Sequence, residues 1–180
     1  MRILFVTTEA VPFAKTGGLA DVAGAVPQWL RSLGQDVAIL MPYYRQARQK
    51  FADRVSDTGA QLSIPLGAAT ESARLFRTTL PDTDVPVYLV DHPGFFDRDQ
   101  LYGTPEGDYP DNAQRFIFFS KAALAAPKAI QWAPDIYHCN DWQTALVPAY
   151  LKLTHAHDSF TRNARSVLTI HNLAYQGVFP

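Results

Sequence analysis

Lys15, Gly17 and Gly18 stand together in TTEAVPFAKTGGLADVAGAVPQWL (Thr7 to Leu30), between an apolar strand-like run and a helical pattern. A strand, a glycine turn and a helix start make an anion site, because unpaired N–H groups and the positive end of the helix dipole point outward there. The spacing is neither GxGxxG nor GxxxxGK followed by Ser or Thr. On spacing alone, a mobile surface lysine before a glycine turn stands slightly ahead of phosphate binding. Glu9 and Asp21 flank the turn; they can hydrogen-bond sugar hydroxyls or simply neutralise Lys15 and favour the helix start.

A second polar group follows two other strand-like runs. His138, Asn140 and Asp141, with Trp142 beside them, suit contact with a carbohydrate or nucleotide, since an aromatic face and convergent polar groups hold such ligands. The structural alternative is strong for Asp141, which reads locally as the N-cap of the next helix. His171 and Asn172 close the last strand, and His171 can donate a hydrogen bond to a substrate or satisfy a loop carbonyl. Tyr102 either stacks on a sugar or plugs a loop onto the core. His155 and His157, two apart, fall on different faces of a helix, so they read as surface residues and not as a zinc pair. Cys139, inside a strand, reads as a small buried residue, and Trp29 and Trp132 read as core.

These groups need a scaffold, and the pattern along the chain supplies one. Arg2–Thr8 and Asp36–Pro42 are short apolar runs that read as strands buried on both faces of a parallel sheet. Between them, Leu19–Leu33 has helical spacing, stopped by Gly34, with Pro27 expected to kink it near Ala23. Gln61–Leu66, Arg74–Leu80 and Val85–Asp91 read as strands, the first two as a hairpin. His92–Pro110, dense in Gly, Pro, aromatics and acids, reads as a functional loop. Asp111–Ile130 reads as a helix capped by Asp111 or Asn112 and ended or bent at Pro127. Asp135–Cys139 (strand), Gln143–His155 (helix) and Ser166–Ile170 (buried strand) complete an α/β alternation. The expected fold is a Rossmann-like parallel sheet with helices on both faces and a β-hairpin insertion. Both polar clusters and the KTGG turn then meet at the carboxyl ends of strands, where open α/β sheets bind ligands.

Composition sets the class of partner. With 180 residues, 47% of them hydrophobic, the chain can bury its own core. A net charge of −1 with scattered basic residues argues against nucleic acid or an anionic membrane as partner, and for a small molecule. One cysteine excludes an internal disulfide and a CxxC metal pair. No signal-like leader or spanning run is evident, so the expected setting is cytoplasmic.

Four segments in order resemble one family: MRILFVTTEAVPFAKTGGLADVAGAVP, YPDNAQRF, HCNDWQTALVPAYL and TIHNLAYQGVFP. They are similar to the N-terminal domain of bacterial glycogen synthase and plant starch synthase, which extend an α-1,4-glucan acceptor from ADP-glucose. The resemblance implies a GT-B enzyme of two Rossmann-like domains with the active site in the cleft between them. Residues 1–180 would be the acceptor-side domain, incomplete at its C-terminal end, with the nucleotide-binding domain absent and the piece inactive alone. It implies retention of anomeric configuration, no cofactor and no metal, and front-face attack by the glucan 4-hydroxyl while cations stabilise the leaving diphosphate. Residue by residue, Lys15 would lie near the phosphates, with Gly17 and Gly18 allowing close approach; His171 would contact the transferred glucose; Asp141 would lie in the cleft. Glu9, Asp21 and Tyr102 would lie around sugar or acceptor, with Asn172 beside His171. The family often shows HAHDW-like segments where this chain has HCNDW, which makes Asn140 the altered member while His138 keeps its place. The alternative readings are a non-catalytic glucan-binding or regulatory module and a glycosyltransferase with another donor or acceptor.

Overall fold

Strand β1 (Arg2–Val6) forms because Ile3, Leu4, Phe5 and Val6 are strand formers with nothing polar to hydrate, and all four side chains are 5% exposed or less. Successive side chains of a strand point to opposite faces, so this run is covered on both sides. The computed structural model describes residues 1–179; Pro180, which ends the last family-like segment, lies outside the described residues.

Helix α1 (Gly18–Ser32) leads to β2 (Asp36–Pro42), followed by helix α2 (Arg45–Phe51) and a 3-10 turn at Ala52–Arg54. Strands β3 (Ser56–Leu66) and β4 (Ala69–Thr79) form the hairpin and β5 (Pro86–Asp91) returns to the sheet. A single turn α3 (Pro93–Phe96), a two-residue ribbon β6 (Gly103–Thr104) and β7 (Gly107–Asp108), and helix α4 (Asn112–Ala129) come next. Strand β8 (Ile136–Asn140), helix α5 (Leu146–Leu153) and strand β9 (Arg165–Thr169) close the chain. The main sheet has seven strands in the order β3-β4-β5-β2-β1-β8-β9, with β5, β2, β1, β8 and β9 mutually parallel and β4 antiparallel to both its neighbours. From β1 the chain moves one way through α1 to β2, and from β5 it crosses back the other way through α4 to β8. Right-handed crossovers in opposite directions put α1 on one face and α4 on the other, so the fold is doubly wound and strand order reverses between β1 and β8.

Several expectations need correction. Trp29 is 69% exposed and not core. The buried stripe of α1 is Leu19, Ala20, Ala23, Gly24 and Pro27, because small residues let the helix approach closely; a Cβ on Gly24 would meet Val11 Cγ2 at 2.4 Å. The helix runs unbroken through Pro27, and α4 likewise continues past Pro127. Trp132 is half-buried, donating its indole N–H to Asp36 Oδ2 at 3.0 Å. The hairpin strands start earlier than their apolar patterns suggest, because most of the added residues are polar or exposed and a register shift lies between Asp57 and Gln61. The expected helix from Gln143 is a 3-10 turn at Trp142–Thr144 and then α5. Strand β9, expected to be buried, is largely exposed, since it is the sheet edge and the described residues place little over it.

Candidate active site

Because β1, β8 and β9 are parallel, the loops leaving them share one rim, at the point where strand order reverses. The segment after β1 turns Glu9 inward, where it is 4% exposed. Its Oε2 accepts the backbone N–H groups of Thr16 (2.5 Å) and Gly17 (3.2 Å), and its Oε1 accepts the hydroxyls of Thr16 (2.7 Å) and Tyr102 (2.8 Å). Two backbone N–H groups of the KTGG turn are therefore engaged by the chain's own carboxylate. Lys15 turns outward and ion-pairs with both carboxylate oxygens of Asp21 at 2.6 and 2.8 Å, the two side chains being 52% and 58% exposed. Neither Gly17 nor Gly18 is demanded by packing, since an added Cβ would meet nothing within 4 Å at either position. The space over them is open to a ligand.

Tyr102 comes from the long loop after β5. Its hydroxyl lies 2.7 Å from Thr8 Oγ1 and donates to Glu9, and its ring packs on Phe116 at 5.9 Å. Burial first, then Tyr44 and Glu9, hold that hydroxyl well above its ordinary pKa, so it remains a donor. The plug reading describes this side chain. The loop itself is fastened by Arg115 of α4, fully buried, which donates to Phe95 O (2.8 Å), Leu101 O (2.9 Å) and Asn112 Oδ1 (2.6 Å). Asn112 in turn donates to Tyr102 O at 2.8 Å, and Asp111 pairs with Arg98 (2.5 and 2.7 Å). Asp111 thus occupies the N-cap position of α4 without a capping bond.

The second cluster lies at the ends of β8 and β9. Asp141 does not cap the following turn. It sits at φ 57°, ψ −177°, a region costly for any side chain but glycine, and its Oδ1 accepts the backbone N–H of His171 at 2.7 Å and of Asn172 at 3.4 Å. The Asn172 side chain is spent locally, accepting Ala174 N–H at 3.0 Å. Asn140 is wholly buried, and its amide spans the sheet: Nδ2 donates to Val6 O (3.0 Å) and His138 O (3.2 Å), while Oδ1 faces His171 Nε2 at 2.9 Å. His138 meets Thr169 Oγ1 at 2.8 Å, and burial, then the nearby His171, lowers its pKa, so it is neutral near pH 7. Cys139 is buried with its thiol pushed up to about 12 by burial, which makes it inert. Trp142 packs edge-on to Phe116 at 5.1 Å and against Phe179 at 5.3 Å.

The rim thus holds two groups: Glu9, Tyr102, Thr16 and Gly17 beside the Lys15–Asp21 pair, and Asn140, Asp141 and His171. No direct bond joins the two, although Asn140 ties the second to the end of β1 through Val6. A concavity of about 770 Å³ lies elsewhere, among Phe13, Phe51, Arg54 and the Thr78 to Asp84 segment. Sequence reasoning missed the roles of Asn140 and Arg115. Alternation along β8 puts Asn140 on the same side as His138, which is the signal that was present; for Arg115 the signal is a lone arginine amid the aromatics of YPDNAQRF.

In doubly wound α/β folds, ligands bind at the switch point outside the carboxyl ends of the strands, which is where this chain gathers its polar side chains. A family model described as starch synthase catalytic domain matches residues 2–180, and the chain belongs to that family. It is 50% identical to glycogen synthase of Syntrophotalea carbinolica over 180 residues and 50% identical to glycogen synthase 2 of Geobacter sulfurreducens over 181. Each alignment takes in 100% of this chain and 37% of the relative, so the chain spans just over a third of their length. Among solved structures it is similar to the catalytic domain of starch synthase IV from Arabidopsis thaliana bound to ADP and acarbose, with TM-score 0.80 and 33% identity. That match covers 97% of this chain and 34% of the other, and the shared fold is that of a GT-B N-terminal domain. Among the described residues no helix is long and apolar enough to cross a membrane.

Proposed function

We propose that residues 1–180 are the acceptor-side part of a cytoplasmic ADP-glucose-dependent α-1,4-glucan synthase, which moves glucose to the non-reducing end of a glucan with retention. The nucleotide-binding domain would be supplied by chain beyond these residues, and the piece alone would transfer nothing. One observation carries the reading: in a chain whose relatives are named glycogen synthase, His171 is held at the switch-point rim by Asn140 and Asp141.

In this reading His171 contacts the transferred glucose and Asp141 shapes the cleft by holding the His171 backbone. The diphosphate lies over Gly17 and Gly18, where the surface is open, and Lys15 swings from Asp21 to the developing negative charge. Charge stabilisation of the leaving group is a large share of such a reaction. Glu9 and Tyr102 shape the turn from beneath, touching the acceptor side only through it.

The test joins this chain to the remaining length of the Syntrophotalea carbinolica relative and follows glucose transfer from ADP-glucose to a maltooligosaccharide. Transfer is expected, and His171→Ala and Lys15→Ala should each lower kcat/KM about 100-fold with an unchanged melting temperature, the scale of losing one transition-state contact. A folded chimera that binds glucan and transfers nothing would favour the non-catalytic module instead.

A further inference from the structure

Asn140 has a chemical consequence for His171 that fixes how the imidazole can meet a ligand. The orientation of the Asn140 amide is determined by its surroundings: two carbonyl oxygens, Val6 O at 3.0 Å and His138 O at 3.2 Å, lie against Nδ2. Only an NH2 group satisfies both, and the reversed amide would set oxygen against oxygen inside a buried sheet. The Asn140 backbone adds rigidity, because its N–H donates to Thr144 Oγ1 at 2.6 Å and Thr144 Oγ1 donates back to Asn140 O at 2.8 Å. The amide oxygen therefore points at His171 Nε2, 2.9 Å away, and a hydrogen bond there requires that Nε2 carry the proton. Nδ1 has no partner among the described residues.

We propose that Asn140 is a positioning residue that locks His171 in its Nε2–H tautomer, so that neutral His171 presents Nδ1 as an acceptor to a hydroxyl of the bound sugar. The tautomer follows from the geometry; the sugar as its partner rests on the glucan-synthase reading above. A histidine held this way receives a hydroxyl proton instead of offering one, which reverses the donor role that His171 alone suggests. The other ionisable groups facing His171 are His138 on β8, neutral near pH 7, and Asp141, whose Oδ1 is bonded to the His171 backbone. Neither supplies an acceptor at Nε2.

The direct test is nitrogen-15 NMR of the full 180-residue chain labelled at histidine, with His171 assigned by loss of its signals in His171→Gln. Above the titration of the ring, wild type should show a protonated Nε2 and an unprotonated Nδ1. A protonated Nδ1, or an averaged pair of shifts as in free histidine, overturns the proposal, and this measurement needs neither a variant at position 140 nor activity. In the chimera, Asn140→Ala should release the tautomer, lowering kcat/KM about 10-fold with KM for ADP-glucose little changed, a loss that Asn140→Gln does not repair because its amide reaches too far. A folded Asn140→Ala variant whose nitrogen-15 shifts still show only the Nε2–H form counts against the proposal. Should the chimera transfer no glucose while the NMR shows the Nε2–H form, the enzyme reading fails and the tautomer assignment stands.

Discussion

The two clusters on the rim are built on opposite plans. At the end of β1, each charge has found a partner within the chain: Glu9 takes four hydrogen bonds from Thr16, Gly17 and Tyr102, and Lys15 is paired with Asp21. At the ends of β8 and β9, bonds from Asn140 and Asp141 hold His171 in place and leave Nδ1 without a partner among the described residues. In the proposed reading the first cluster would have to rearrange before its lysine met a ligand, whereas the second would be set in advance, and fixed groups lose less on binding than groups that must be ordered or unpaired. The Lys15 side is thus the adjustable wall of the proposed cleft, and the His171 side the fixed one.

The largest effect expected on the adjustable side comes from beneath it. Arg115→Met would leave Phe95 O, Leu101 O and Asn112 Oδ1 without their donor in a buried setting, at a cost of about 3 kcal/mol or more. Urea unfolding should show the loss, and the loop carrying Tyr102 should lose hydrogen-exchange protection first. If stability falls while that loop keeps its protection, the two walls do not differ through Arg115. Glu9→Gln comes next. The amide keeps one acceptor but sets an NH2 group against donors, so about 2 kcal/mol should be lost, the scale of charge-assisted bonds. In the chimera, KM for ADP-glucose should rise more than kcat falls, because the KTGG turn loses its shape and not its lysine.

A smaller, pH-dependent effect probes the fixed wall. His138 is held below the ordinary histidine value of 6.5 by burial first and by His171 second. The unfolded chain then binds more protons in the window just below 6.5, so the folded state loses stability as pH falls through it. His138→Gln should flatten that part of the stability curve, measured as melting temperature between pH 7 and pH 5. An unchanged slope would mean that His138 is not the group whose protonation the fold resists.

The parallel core was legible because runs such as DVAILMP admit few other fates: with both faces apolar, a strand must be central. The direction of the rim followed from that, and so did the meeting of the two strand-end clusters. What the sequence concealed were choices among partners. Nothing in the spacing of Glu9 says that it reaches Thr16 and Gly17 seven and eight residues on, nor that Asp141 turns from the helix behind it to the backbone of His171 thirty residues away. Trp29 was misread for a different reason. Its helical phase matched the apolar stripe of α1, but close packing at Gly24 rotates the buried face onto the alanines and leaves the indole in water. Side-chain periodicity marks a face to within about one residue per turn, and close approach decides the remainder.

The smallest expected change, at Asp21, separates the two walls most sharply. Lys15 and Asp21 are both more than half exposed, so their attraction is screened, and Asp21→Asn should alter stability by less than about 1 kcal/mol. The same substitution releases Lys15 from its partner. If the lysine must leave Asp21 to meet the diphosphate, the variant begins nearer the bound arrangement, and KM for ADP-glucose should fall about two- to five-fold at low ionic strength, the worth of an exposed pair. Added salt weakens the pair in the wild type and should erase the difference between the two proteins. A KM that rises in Asp21→Asn would place the carboxylate on the substrate itself, and the first wall would then be as preformed as the second.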